Sequence, residues 1–244
     1  MKRIYKNTIL SMAVFLPVLS QAQLVKMPMD VAQDGTTYEQ VSGKSFKVNG
    51  ALAPYCVQGA KGKAWRLDGY SSYLRAQIDP TVLTDKKQLT FSLWVAPESY
   101  PMMKLDQDGE WFTTMLGNVK LDDNNTISGD KGFAFQLGSR GSYKFICYVA
   151  GWPVKCEPTA KLSRYQWNHL VATVDGVNKK VTLYNNGEEV ASKTCTKGKI
   201  TPGGSTLYVG KSYVEDKVDV FYLNTYNGLL DDFEIYDGIR TDIL

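Results

Sequence analysis

WNHLVATVDGVNKKVTLYNNGEEVAS, Trp167 to Ser192, is the stretch whose reading decides the fold. Leu170, Ala172 and Val174 alternate with His169, Val171 and Thr173. Asp175-Gly176-Val177-Asn178 then reverses the chain into Val181, Leu183 and Tyr184, and Asn185-Asn186-Gly187 reverses it again. A period of two is the pattern of a strand, and Asp-Gly and Asn-Gly tolerate the positive φ of tight hairpins, so the stretch predicts an antiparallel meander of three strands.

The same rhythm extends outward. Strand-like runs fall at 64–67, 73–78, 89–96, 112–116, 132–137, 143–149, 206–209 and 228–236, separated by turn residues such as Asp68-Gly69, Ser139-Arg140-Gly141 and Pro202-Gly203-Gly204. No helical period is sustained over about ten residues. Many short strands without internal repeats predict an all-β, two-sheet antiparallel sandwich.

Residues 1–22 read differently. Lys2, Arg3 and Lys6 precede an apolar run from Ile9 to Leu19 and a small-x-small Ser20-Gln21-Ala22, the pattern of a secretory signal peptide cleaved before Gln23. The apolar run is too short to span a bilayer core of roughly 30 Å as a helix, so no membrane span is expected after cleavage, and a secreted protein (periplasmic, cell-surface or extracellular) is. Residues 23–50 read as an entry segment with one strand near 45–48, and 51–244 as the sandwich domain. The formal charge is +3. Subtracting the three leader cations leaves zero, and a neutral chain has no field to attract nucleic acid or an anionic membrane.

Export permits disulfides among Cys56, Cys147, Cys156 and Cys195. Cys147 and Cys156 are equidistant from Gly151-Trp152, so a hairpin turning there predicts one bridge between them and a second between Cys56 and Cys195. The alternatives are the two other connectivities and four buried free thiols.

Several segments follow one another in a diagnostic order: Gly62 to Tyr73 (GKAWRLDGYSSY), Leu89 to Pro97 (LTFSLWVAP), Gly132 to Leu137 (GFAFQL), Trp167 to Gly176, Leu183 to Gly187 (LYNNG), Leu207 to Gly210 (LYVG) and Asn227 to Tyr236 (NGLLDDFEIY). The succession resembles the laminin-G-like domains of the concanavalin A-like lectin and glucanase superfamily over about Lys26 to Arg240. That resemblance implies a jelly roll of two curved sheets, with about six or seven strands each, and a ligand surface on a concave face or loop rim. The fold hosts lectins, glycosidases, adhesins and spacers alike, so function has to come from the site.

Glucanase members use a Glu-x-Asp-x-x-Glu type carboxylate set, which is missing from this sequence, so no catalytic residue is assigned and the chain is expected not to be an enzyme. His169 is the single histidine and is expected to be packed and hydrogen-bonded. On the last strand Asp231 shares parity with Leu229, Phe233 and Ile235, so it points inward if Leu229 does. Similar domains hold a structural calcium ion between that strand and the start of the domain, which implies Asp30 and Asp231 as ligands. The alternative is satisfaction by backbone N–H groups. The oxygen-rich loops 106–110 and 122–125 lack the ligand spacing of an EF-hand and read as solvated turns.

A sugar is gripped by an aromatic ring against its apolar face, with polar groups fixing its orientation. Trp111, Trp152, Tyr100, Tyr213 and Tyr222 occupy or flank loops and are the candidates, against the alternative of rings folded over a sheet edge. Trp65, Trp94 and Trp167 lie inside strand motifs and read as structural. The expectation is a secreted, non-catalytic carbohydrate-binding or accessory module of a glycan-degrading system. It resembles domains preceding the catalytic domains of secreted glycoside hydrolases such as levanases, so a glycan and a glycoside hydrolase catalytic domain are the implied partners. The alternatives are a protein-binding adhesion or scaffold domain, and a glycosidase whose carboxylates come from separate strands.

Overall fold

The computed structural model describes residues 22–30, 35–49, 55–101, 112–119, 131–211, 217–218, 221–222 and 225–244. The strands in chain order are β1 (Gln23–Met27), β2 (Thr36–Glu39), β3 (Lys44–Lys47), β4 (Tyr55–Gln58), β5 (Lys63–Asp68), β6 (Leu74–Gln77), β7 (Gln88–Pro97), β8 (Phe112–Gly117) and β9 (Phe133–Gly138). They continue with β10 (Tyr143–Val149), β11 (Trp152–Cys156), β12 (Asn168–Asp175), β13 (Lys180–Asn185), β14 (Glu188–Thr194), β15 (Thr206–Val209), β16 (Lys217–Val218), β17 (Phe221–Tyr222) and β18 (Asn227–Asp237). Among the described residues no helix is long and apolar enough to cross a membrane.

The meander forms as its sequence dictates. β12 pairs with β13 from Asp175↔Lys180 to Leu170↔Asn185, and Asn186 and Gly187 turn the chain into β14 with φ of 50° and 88°. At the other turn the Asp175 carboxylate accepts the N–H groups of Val177 and Asn178. These three strands are one flank of an eight-stranded sheet ordered β14-β13-β12-β7-β18-β5-β4, with β1 beside the far end of β18. A six-stranded sheet, β11-β10-β9-β8-β15-β6, packs against it, and β2-β3 and β16-β17 are separate two-stranded ribbons. The larger sheet exceeds the expected six or seven strands because residues 23–50 contribute β1 to it. That segment therefore holds three strands, and its first belongs to the sandwich itself.

Between the sheets lies one continuous core. Phe91 and Phe233 from the larger sheet meet Phe133 and Phe145 from the smaller, with Phe91 ring centroids 4.5 Å from Phe133 and 5.3 Å from Phe145, and Phe135 packs beside Phe145. Alternation in β7 supplies Phe91, Leu93 and Val95 to this core, leaving Thr90, Ser92 and Trp94 on the opposite face.

The expected disulfides are corrected by the register. The turn of the β10–β11 hairpin is Ala150-Gly151, one residue earlier than the sequence suggested, with φ of 51° and 80°. Cys147 therefore lies opposite Val154, and Cys156 opposite Phe145. A diagonal neighbour of this kind is farther away than the roughly 3.5–4.5 Å between Cβ atoms that a disulfide allows. Cys56 on β4 and Cys195 just beyond β14 sit at opposite edges of the larger sheet, six strand spacings or about 29 Å apart. Cys147, Cys156 and Cys195 are free thiols in the core. Burial pushes all three thiols up, Cys156 to about 11, which favours their protonated form at neutral pH.

Candidate functional site

The two ends of the sandwich carry different features. At one end, the Ala150-Gly151 turn is tied down on both sides. Ala150 N donates to Lys199 O at 2.8 Å, Gly151 N to Thr201 Oγ1 at 3.0 Å, and Thr201 N to Tyr148 O at 2.8 Å. Trp152 opens β11 directly after this turn. Val154 and Cys156, on the same side of the strand, are buried, whereas Trp152 is 67% exposed. A large indole thus projects into solvent from a hairpin whose backbone groups are satisfied.

Tyr100 sits at the other end, on the far side of β10. Its hydroxyl donates to Leu162 O at 2.6 Å, its ring packs on Gly141, and the Arg164 guanidinium lies over the ring at 6.0 Å. The phenol braces two loops, and its polar tip is already committed. Tyr100 and Trp152 therefore share no surface. Trp111, Tyr213, the side chain of Tyr222 and the loops 106–110 and 122–125 lie outside the described residues.

Asp30 and Asp231 are brought together. Beside β18, β5 ends and β1 begins, and at this gap β18 bulges between Asp231 and Glu234. The β4–β5 turn fills the gap. Lys61 N donates to Asp231 Oδ2 at 2.9 Å and Lys63 N to Asp30 Oδ1 at 3.2 Å, while Gly59 leaves room for Asp231 Oδ2 that a Cβ would occupy. The bulge corrects the expected orientation of Asp231. Leu230, Phe233 and Ile235 face the core, so Asp231 points the other way, pairing across the strand with Trp94. It is nonetheless fully buried, and its Oδ1 has no hydrogen-bond partner. Burial, with Asp232 and Asp30 adding negative charge nearby, pushes its carboxyl up to about 6. A buried carboxylate oxygen without a donor, facing a second carboxylate, is the environment of a cation ligand. Among the described residues no group of three or more His, Cys, Asp or Glu gathers around one point, so a calcium ion held by Asp30 and Asp231 would take most of its six to eight oxygens from main-chain groups or water.

Next to Asp231 on the same face, His169 stacks on Trp94, with centroids 4.5 Å apart and 9° between planes, and its Nε2 lies 2.8 Å from Ser92 Oγ. Burial, aided by the Lys61 charge, lowers the imidazole to about 4. Because the folded value lies below the ordinary 6.5, His169 contributes stability above pH 6.5 that is lost as pH falls toward 4. As the chain has a single histidine, an NMR pH titration reads this group directly. The ring is expected to stay neutral to about pH 5. A midpoint near 6.5 would contradict the packing against Trp94.

Tyr70 and Tyr165 are further exposed aromatic residues, at 64% and 71%, and sequence reasoning passed over both. Tyr70 lies inside a family segment that reads as structural, and Tyr165 lies in a connection with no strand signal. The available signal was an aromatic residue within a Gly/Ser turn, Gly69-Tyr70-Ser71-Ser72.

The sequence signature of the concanavalin A-like lectin/glucanases superfamily, laminin-G type, matches residues 68–242. Among curated proteins none matches the sequence significantly. Similar solved structures include domain 4 of AbnA, a GH43 extracellular arabinanase from Geobacillus stearothermophilus, in complex with arabinotriose. It is 22% identical with a TM-score of 0.58, over 89% of this chain and 96% of that one. The binding domain of Paraclostridial Mosquitocidal Protein 1 is 18% identical with a TM-score of 0.62, over 91% of this chain and 50% of that one. The binding domain of Botulinum Neurotoxin DC in complex with SialylT is 10% identical with a TM-score of 0.60, over 90% and 49%. The chain thus spans about half of each toxin domain, and at these identities the likeness is one of fold.

Proposed function

Because the chain belongs to the concanavalin A-like lectin/glucanases superfamily, where the same sandwich serves binding and catalysis alike, we propose that this member is a secreted, non-catalytic carbohydrate-binding module acting beside a glycan-degrading enzyme. The observation that carries the reading is Trp152, a tryptophan ring held in water by a satisfied, two-residue hairpin turn. Packing does not require that exposure, whereas a sugar face supplies the missing cover. Two of the similar structures were solved with a carbohydrate or carbohydrate-named ligand, arabinotriose and SialylT, which supports the assignment by analogy of fold. Asp30 and Asp231 accept main-chain N–H groups of the β4–β5 turn and Asp232 pairs with Lys61 at 3.6 Å, which supports a structural role for these acids over a catalytic one.

Affinity electrophoresis through gels containing arabinan, levan or β-glucan tests the reading. The wild-type protein is expected to be retarded by at least one of them. Trp152→Ala is expected to weaken retardation by about tenfold in affinity with the fold intact. Failure of all glycans to retard the wild type would remove the proposal.

Calcium belongs to the same proposal as a structural ion. Asp30 and Asp231 hold it, and when bound it neutralises the buried charge and ties the β4–β5 turn to β1 and β18.

A further inference from the structure

Tyr70 sits in a turn that is built rather than loose. The Asp68 carboxylate accepts the N–H groups of Tyr70, Ser71 and Ser72 at 2.9, 2.8 and 2.9 Å and the Ser71 hydroxyl at 2.6 Å. Gly69, at φ 75°, lies against the Asn227 side chain, where a Cβ would collide, and its carbonyl accepts the Thr225 hydroxyl. Every local constraint fixes the backbone, and the ring still points into solvent. Tyr165 repeats the arrangement with a different device. It holds φ at 61°, a left-handed conformation that bulky residues avoid, and its N–H donates to Pro97 O at 2.7 Å.

The two rings belong to one rim. Pro97 pairs with Gly228, Glu98 N donates to Asn227 O, and Asn227 pairs with Asp68. The anchors of the tyrosines are thus the ends of β7 and β5, with only β18 between them, a lateral separation of roughly 10 Å. Spanning that interval is the Arg66–Glu98 ion pair, with Nε to Oε2 at 2.9 Å and the arginine side chain half exposed. Rings at either side and a charged donor–acceptor pair between them match what successive sugars present, apolar faces separated by hydroxyl edges.

We propose that Tyr70 and Tyr165, with Arg66 and Glu98 between them, form a second carbohydrate platform, on the end of the sandwich opposite Trp152, that takes an oligosaccharide rather than a single sugar. β7 separates the ends. Lys86, two residues before it, accepts from Ile200 N in the segment that ties the Trp152 turn, and its last residue anchors Tyr165, about 30 Å along the strand at 3.3 Å per residue. The protein therefore has two separate contacts for glycan chains, so that immobilised polysaccharide is held by avidity. This inference rests on the glycan-binding reading and is tested so that the two fail separately.

Calorimetric titration with mono-, tri- and hexasaccharides of arabinan, levan and β-glucan compares the wild type, Trp152→Ala, the double variant Tyr70→Ala/Tyr165→Ala and the triple variant. The expected result is two sites for the hexasaccharide in the wild type, one in Trp152→Ala, one in the double variant and none in the triple. The platform is expected to bind the monosaccharide at least about tenfold more weakly than the hexasaccharide. Loss of binding confined to the tyrosine variants also carries the platform. Both tyrosines are exposed, so thermal melts are expected to coincide with wild type and to separate lost contact from lost fold. Wild-type stoichiometry and affinity in the tyrosine double variant overturn the platform while leaving the Trp152 reading intact. Absence of any binding by the wild type overturns both.

Discussion

Phe91→Ala is expected to lower the free energy of unfolding by about 3–5 kcal/mol, read as a fall in urea midpoint with little change in slope. Phe91 is fully buried on β7 in the middle of the larger sheet, and its ring touches Phe133 and Phe145 on the smaller one. Removing it takes away the transfer energy of a large ring and leaves a cavity. Strands hydrogen-bonded on both sides cannot collapse to fill that cavity. Val177→Ala, at an exposed position in the β12–β13 turn, is the control and should stay within about 0.5 kcal/mol of wild type. A loss below about 1 kcal/mol for Phe91→Ala would mean that the sheets do not meet over this ring.

Asp231→Asn is expected to act in the opposite direction under one condition and to be silent under another. The folded carboxyl titrates at about 6, above the ordinary 3.8, so the folded state favours its protonated form. Stability from this group is therefore greatest below pH 3.8 and falls as pH rises toward 6, leaving a penalty on the order of 3 kcal/mol at neutral pH without a cation. His169 runs the other way across much of the same window, so the two partly offset in the wild-type acid profile. Asparagine keeps the shape and the acceptor for Lys61 N while removing the charge. At pH 7.5 with chelator, Asp231→Asn should melt above wild type. Adding calcium should raise the wild-type melting temperature and leave the variant unmoved. If calcium shifts both proteins equally or neither, Asp30 and Asp231 do not hold it.

The sandwich was legible because its signals are redundant. The Asn186-Gly187 turn, the alternation in Leu170, Ala172 and Val174, and the order of the segments all point to the same pairing of β12, β13 and β14. What escaped depends on single-residue shifts. Ala150 takes a positive φ although alanine gives no sign of it, and moving the hairpin turn by that one residue separates Cys147 from Cys156. Leu229-Leu230-Asp231-Asp232-Phe233 reads equally well in either phase. Only the bulge, with Asp232 at φ 39°, decides that Leu230 faces the core and Asp231 does not. Asp30 and Asp231 were paired in advance through family resemblance, since residues this far apart in sequence carry no local cue to their meeting. Exposure of a ring is likewise a property of the whole surface. Trp152 stood out beside a turn, while Tyr70 was hidden within a segment that otherwise builds strands.

β18 lies in the middle of the larger sheet, flanked by β7 on one side and by β5 and β1 on the other, and Gln23 bonds to Glu234, a residue 211 positions later. A ribosome delivers that central plank after β1, β5 and β7. Until residues 227–237 have emerged, β1, β5 and β7 each lack a partner on one edge, so the larger sheet cannot close. Docking of that strand is therefore expected to be the step that commits the larger sheet, joining β1 and β5 to β7 in one event.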